Sequence, residues 1–270
     1  MVNGRARSRR AVLGIVVAVG TAAFLLTAGD AGANPPPGIT NPFVTCTTTI
    51  TSVVASLTVT QGTTCIDGLH GGGVSGSTSV RAGAGLSVES AHVGAIVANR
   101  PQMVWLCAST TGSIAVTGAT GLFEPFEGPL SFAADFGCTD TTRTRINGSL
   151  SLSYDKVTDD TSFATVSGPF VDSYNMSAEP GEICACYATF DGSVTITHSS
   201  TSTYVENATV HGALNENQNT GYADVDNSTM YNGMSITHST GSVVIESNMI
   251  HGPVTLQGNG PTTYTGNTTF

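Results

Sequence analysis

The sequence predicts a mainly β fold: a disulfide-bonded β domain followed by a short parallel β-helix or solenoid, with an antiparallel β meander as the alternative. Three observations point there. Residues 191–230 and 231–270 overlay without a gap, so that Ile196-Thr197-His198-Ser199 falls on Ile236-Thr237-His238-Ser239, Glu206 on Glu246, His211-Gly212 on His251-Gly252 and Asn219 on Asn259. Self-similarity at a fixed period of this size marks stacked supersecondary units. The composition is rich in Thr, Ser, Gly, Val and Asn, with a single lysine, Lys156, and few helix-favouring residues. All six cysteines lie before residue 187, leaving none in the repeat.

The amino terminus reads as an export signal over residues 1–33. Arg5, Arg7, Arg9 and Arg10 precede an apolar stretch from Ala11 to Leu26, and Ala31-Gly32-Ala33 fits a small-residue cleavage site. The run from Ser8 to Leu13 resembles a twin-arginine signal, and an ordinary secretory signal fits equally well. Residues 34–42, opening Asn34-Pro35-Pro36-Pro37, form an extended leader. The Cys-containing β domain then covers 43–190 and the solenoid 191–270. No later segment is apolar enough to span a bilayer. The expected location is the medium or a bacterial cell envelope.

Removing residues 1–33 takes away four of nine basic and one of nineteen acidic residues, which leaves five against eighteen and a formal charge of −13. Phosphate binding needs clustered Lys and Arg, so nucleic acid is excluded as a partner. Six cysteines in an exported chain predict three disulfides. Cys46–Cys65 is the favoured local pair. Cys184-Ala185-Cys186 lacks the second ligand pair of a zinc site and reads as structural.

In the middle of the chain, residues 112–117 and 148–153 alternate as half-buried strands do. The second, followed by a polar turn from Lys156 to Asp160 and a return strand from Thr161 to Ser167, gives a hairpin signal. Residues 68–85 are too rich in Gly and Ser for a strong strand and read as a long loop or weak edge. Gly148-Ser149-Leu150-Ser151-Leu152 resembles Gly192-Ser193-Val194-Thr195-Ile196, which is compatible with degenerate repeat copies upstream and leaves open whether the repeat extends upstream of residue 190. Two arrangements stay open: a β-sandwich-like domain before the solenoid, or one continuous β structure with a disulfide-bonded front end.

A fainter half-period appears in Asn207, Asn227, Asn248 and Asn267. One coil of about twenty residues cannot bury its own inner face, whereas coils stacked ~4.8 Å apart bury a continuous apolar column. Asn side chains at equivalent corners would then bond coil to coil. The segment from Val244 to Asn259 resembles a rung of the right-handed parallel β-helix proteins, the group that includes pectate lyases. The resemblance covers roughly residues 190–270 and implies a fold, not an activity.

In a twenty-residue register Glu206, Asp226 and Glu246 share one face, with His211, Tyr231 and His251 five residues on. Stacked carboxylates repel unless a cation sits between them, and calcium is the hard, oxygen-seeking candidate. Paired acids also suit glycoside chemistry. The step of twenty-one from Asn227 to Asn248 puts the register of this row in question. Asp224-Val225-Asp226 is a second cation signal, and Asp155, Asp159 and Asp160 read as turn residues. His198, His211, His238 and His251 recur two rungs apart, too far to share one ion. His70-Gly71-Gly72-Gly73 resembles an esterase oxyanion loop but lacks the partner nucleophile elbow. Trp105, beside Cys107, reads as core next to a disulfide. The function expected is an exported, non-enzymatic structural or binding protein presenting a rigid β surface to carbohydrate or another envelope component. A polysaccharide lyase or hydrolase of the β-helix type is the alternative.

Overall fold

The twenty-residue period becomes a stack of coils, each contributing one strand to each of three parallel sheets. The computed structural model describes residues 44–120, 123–126, 143–156, 159–176 and 182–270. The segments expected to be a signal and a leader, and Cys138, lie outside them. The first sheet runs in chain order from Thr48–Ile50 to Thr262–Thr265 and has eleven strands. The second runs from Val53–Val54 to Thr268–Thr269 with eleven, and the third from Leu57–Val59 to Val254–Gln257 with ten. Ile196 and Ile236 occupy one column of the third sheet, with Glu216 between them, and both isoleucines are fully buried.

Of the two arrangements left open, the ladders follow the continuous one. No break falls at residues 190–191, the boundary predicted from the sequence: Phe170 pairs with Val194 and Thr189 with Thr209, all in parallel. The Cys-containing part is built of the same coils. Cys46–Cys65 is bridged as expected and ties the chain entering the first coil to the second. Cys184 is bonded to Cys186. Cys107 is also disulfide-bonded.

Two local expectations are corrected. Leu150–Ser153 is not half of a hairpin; it pairs in parallel with Ile114–Thr117 and Phe170–Ser173. Alternation reports one buried face but not strand direction, and the presumed turn already contains the next first-sheet strand, Asp159–Asp160. Residues 68–85 hold a 3-10 turn at Gly68–His70 and the strands Gly73–Val74 and Thr78–Val80. Their Gly and Ser content reflects close approach between coils: a Cβ on Gly72 would lie 2.1 Å from the Ile50 carbonyl oxygen.

The inner face is a set of columns. Ile96, Ile114, Leu150, Phe170, Val194, Leu214 and Met234 stack along the third sheet, all buried. Phe170 and Phe190 stack inside, ring centroids 5.5 Å apart. The strand Met103–Cys107 buries both faces. Val104 and Leu106 join the inner core, whereas Trp105 and Cys107 form a separate cluster on the outer side.

Each corner has its own chemistry. After the first sheet stands a column of left-handed residues including Tyr187, Asn207, Asn227 and Ser247, with φ between 50° and 60°. After the third stands another, including Tyr154, Tyr174, His198, Gln218 and His238. The residue following each turns inward, and Asp155, Asn175, Asn219, Ser228 and Asn248 at these positions cap the coil before. The Ala208 N–H donates to Ser228 Oγ (3.0 Å), the Ser228 N–H to Asn248 Oδ1 (2.8 Å) and the Asn248 N–H to Asn267 Oδ1 (2.9 Å). The Asn series therefore belongs to two adjacent columns. Asn207 and Asn227 are left-handed and bonded amide to amide, while Asn248 and Asn267 are the inward caps, bonded at 3.0 Å. That offset of one residue accounts for the step of twenty-one.

Asn248→Ala should lower the unfolding free energy by about 2–4 kcal/mol, because it strands the Ser228 N–H and the Val225 carbonyl in a dry corner. Asn227→Ala, a left-handed position on the surface, should cost about 1–2 kcal/mol. Urea denaturation measures both, and a loss at Asn248 no larger than at Asn227 would contradict the capping role.

Candidate functional site

The first sheet places the predicted acidic row in register. Glu206 pairs with Asp226 and Asp226 with Glu246, after which Thr265 takes the position. All three acids alternate with buried Val205, Val225 and Ile245, so they face outward. Thr265 Oγ1 donates to Glu246 Oε1 at 3.3 Å. Asp224 stands two residues before Asp226 on the same face and accepts a 3.0 Å bond from the Tyr222 hydroxyl. Partial burial raises the Asp224 carboxyl above its usual range, the tyrosine bond pulls it back, and Asp226 and Glu246 push it further up. The row is linear: among the described residues no three His, Cys, Asp or Glu converge to hold a metal ion.

The histidines join aromatic stacks. His211 lies 5.2 Å from Tyr231, Tyr231 5.3 Å from His251 and His251 4.7 Å from Phe270, between ring centroids. Asp191 extends this column one coil back through His211 Nδ1 (3.0 Å). A second stack runs Tyr154, Tyr174, His198 at 5.0 and 4.6 Å. Tyr231 thus separates His211 from His251, as the two-rung spacing requires. His70 Nδ1 lies 2.7 Å from buried Asp67, which also caps the 3-10 turn through the His70 N–H.

Sequence reasoning missed the polar groups inside. Glu216 stands between Ile196 and Ile236 and is 1% exposed. Its Oε2 accepts from Thr203 Oγ1 (3.0 Å) and Asn219 Nδ2 (3.3 Å), and Oε1 has no partner. Two coils earlier the same plan recurs with a second acid in the hydroxyl's place. Asp172 precedes Ile196 in the column, Asn175 follows three residues on, and Asp159 occupies the first-sheet column position that Thr203 takes two coils later. Asn175 Nδ2 donates to both Asp159 Oδ2 and Asp172 Oδ1. Asn175 Oδ1 accepts the Asp155 N–H at 3.0 Å, and Asp155 Oδ1 accepts the Ala119 N–H. Asp155 and Asp159, which read as turn residues, are therefore fully buried. A signal was available: strict alternation in Phe170-Val171-Asp172 and Leu214-Asn215-Glu216 points each acid inward.

Burial pushes the Glu216 carboxyl up to about 7, against the pull of Thr203 and Asn219. A carboxyl raised on folding binds its proton more tightly in the native state. Its stability contribution is complete below the unfolded value of 4.5 and is lost as pH rises through about 7. Glu216→Gln should therefore match the wild type at pH 4.5 and exceed its unfolding free energy by about 1–3 kcal/mol at pH 8. Denaturant titration at both values decides; equal stability at pH 8 would remove the assignment.

Against known proteins, the chain matches no protein-family model, no curated protein and no solved structure. Among the described residues no helix is long and apolar enough to cross a membrane.

Proposed function

We propose that the protein is an exported, non-enzymatic binding or structural module whose working part is the outer face of the third sheet. The observation that carries this is the absence of charge there. From Thr58 in the first coil to Gln257 in the tenth, the outward positions are Thr, Ser, Asn, Gln, Ala and Val. Ten coils at ~4.8 Å make this face about 43 Å long, with two outward residues about 6.7 Å apart on each four-residue strand and one on Leu57–Val59 and Thr78–Val80. The side chains hold one another: Thr117 Oγ1 lies 3.2 Å from Ser153 Oγ, and Thr237 Oγ1 donates to Asn217 Oδ1 at 3.1 Å. A rigid array of hydroxyls and amides spends little conformational entropy on binding. Its neutrality suits an uncharged polymer rich in hydroxyls, such as a neutral polysaccharide of an envelope or the surrounding medium.

The test is cosedimentation of the purified chain with insoluble neutral polysaccharides. Thr195→Lys with Thr237→Lys should lower retention at least tenfold while leaving the far-ultraviolet circular dichroism spectrum unchanged. Undiminished retention would move the site off this face. The lyase or hydrolase alternative draws on the in-register acids, but no Lys or Arg follows Lys156 to stabilise a developing oxyanion near them. Product release abolished by Glu206→Gln or Glu246→Gln would establish it instead.

The acidic row of Glu206, Asp226 and Glu246 is where a cation would relieve repulsion between neighbouring coils, and calcium is the class proposed. Millimolar calcium should raise the melting temperature by several degrees, and Asp226→Asn should abolish the shift. No shift in the wild type would remove calcium from the account.

A further inference from the structure

Among the described residues, the interior of the coils around residues 150–176 contains three carboxyls and no counter-charge. Asp155, Asp159 and Asp172 are each 0% exposed, and Asn175, also 0% exposed, is bonded to all three residues. Each acid keeps one oxygen with no partner: Asp155 Oδ2, Asp159 Oδ1 and Asp172 Oδ2. The neighbours along the columns are apolar: Leu152 and Ile196 flank Asp172, and Ile183 follows Asp159. Lys156, next in sequence to Asp155, is exposed. Among the described residues, the titratable groups facing this space are the three aspartates themselves, and Glu216, two coils on, has its own partners, Thr203 and Asn219.

Buried charges are paired, bind a metal or are neutralised. Among the described residues no basic group pairs with these acids, and no side chains converge as a metal site. Neutralisation remains. A protonated carboxyl also gives the cluster the donors it lacks, since Asn175 Nδ2 is its only side-chain donor and each unpartnered oxygen can carry a proton. Where this plan recurs around Glu216, the position of Asp159 is filled by a neutral hydroxyl, Thr203.

We propose that Asp155, Asp159 and Asp172 form a proton-held latch inside the solenoid: protonated, they close the coils around residues 150–176, and loss of their protons opens those coils while the coils at 223–257 stay shut. Burial first, and then the neighbouring acids, raise Asp159 and Asp172 well above the usual carboxylate range, and burial takes Asp155 to about 6. The native state therefore holds protons that the unfolded chain has released. The stabilisation is complete below about pH 4 and is lost as pH rises through about 6 and beyond.

Hydrogen exchange resolved by segment tests this directly. With intrinsic rates divided out, protection of residues 150–173 should fall at least tenfold between pH 5 and pH 7.5, while that of residues 223–257 holds. A uniform change would reflect general repulsion in an acidic chain and would overturn the latch. Asp159→Asn with Asp172→Asn should keep residues 150–173 protected at pH 7.5; a variant retaining the wild-type pH profile would also overturn it. Should that variant not fold, infrared spectroscopy of the wild type at pH 5 should show the carbonyl band of buried neutral carboxyls, and its absence refutes the proposal. Restored protection of 150–173 at pH 7.5 on adding calcium would replace protons with a cation and equally refute it.

Discussion

A residue in this fold has its closest long-range neighbours directly above and below it, one coil away. Parallel pairing between successive coils satisfies the backbone of each strand, so a coil's shape is copied from the coil beneath it. Side chains inherit the same order, and like groups must tolerate like groups at ~4.8 Å. Apolar residues do so inside, where Ile96 to Met234 make one column. Aromatic rings do so outside by stacking, as in His211, Tyr231 and His251. Amides do so by serving as acceptor on one side and donor on the other, as in Asn248, whose Oδ1 accepts the Ser228 N–H and whose Nδ2 donates to Asn267 Oδ1. Carboxylates cannot while ionised, which is why the acids are the chemically unsettled positions.

The forty-residue overlay made the tail legible because its coils are nearly uniform in length. Upstream, corners of varying length erase the period from the text while the ladders persist in space. The strand Phe123–Phe126 and the next strand of its coil, Arg145–Ile146, are separated by a long insertion, whereas Glu206 and Thr209 are separated by two residues. Alternation was readable at Leu150–Ser153, but its direction was not, because parallel and antiparallel partners ask for the same buried face. The acidic row was found by period alone, and its doubtful register came from treating Asn227 and Asn248 as equivalent when the first bends the chain and the second caps it. The inner acids were missed for a different reason. Asp and Glu carry a strong expectation of exposure, and that expectation outweighed the alternation that placed Asp172 and Glu216 inside.

The three outer faces are chemically unlike one another. The first sheet carries the acidic row in its later coils and, in its earlier coils, an outer side that buries Cys65, Asp67, Ser87 and Trp105. The second repeats threonine at Thr165, Thr189, Thr209 and Thr229. The third is uncharged along its length. A stacked fold makes such segregation simple, because a change at one position of the coil, repeated up the column, alters one face and leaves the other two untouched.

The corner between the second and third sheets is the place where the coils touch. Gly94, Gly168, Gly192 and Gly212 lie so close to the backbone of the coil below that a methyl group would collide with it, at 1.9 Å from the Gly76 oxygen in the case of Gly94. That corner keeps a span of two or three residues in every coil, while the other two corners vary widely. Evolution, or an engineer, can therefore hang new peptide on two edges of this prism and not on the third. The natural insertion after Phe126 marks a graft point at which foreign sequence could be displayed without disturbing the ladders on either side.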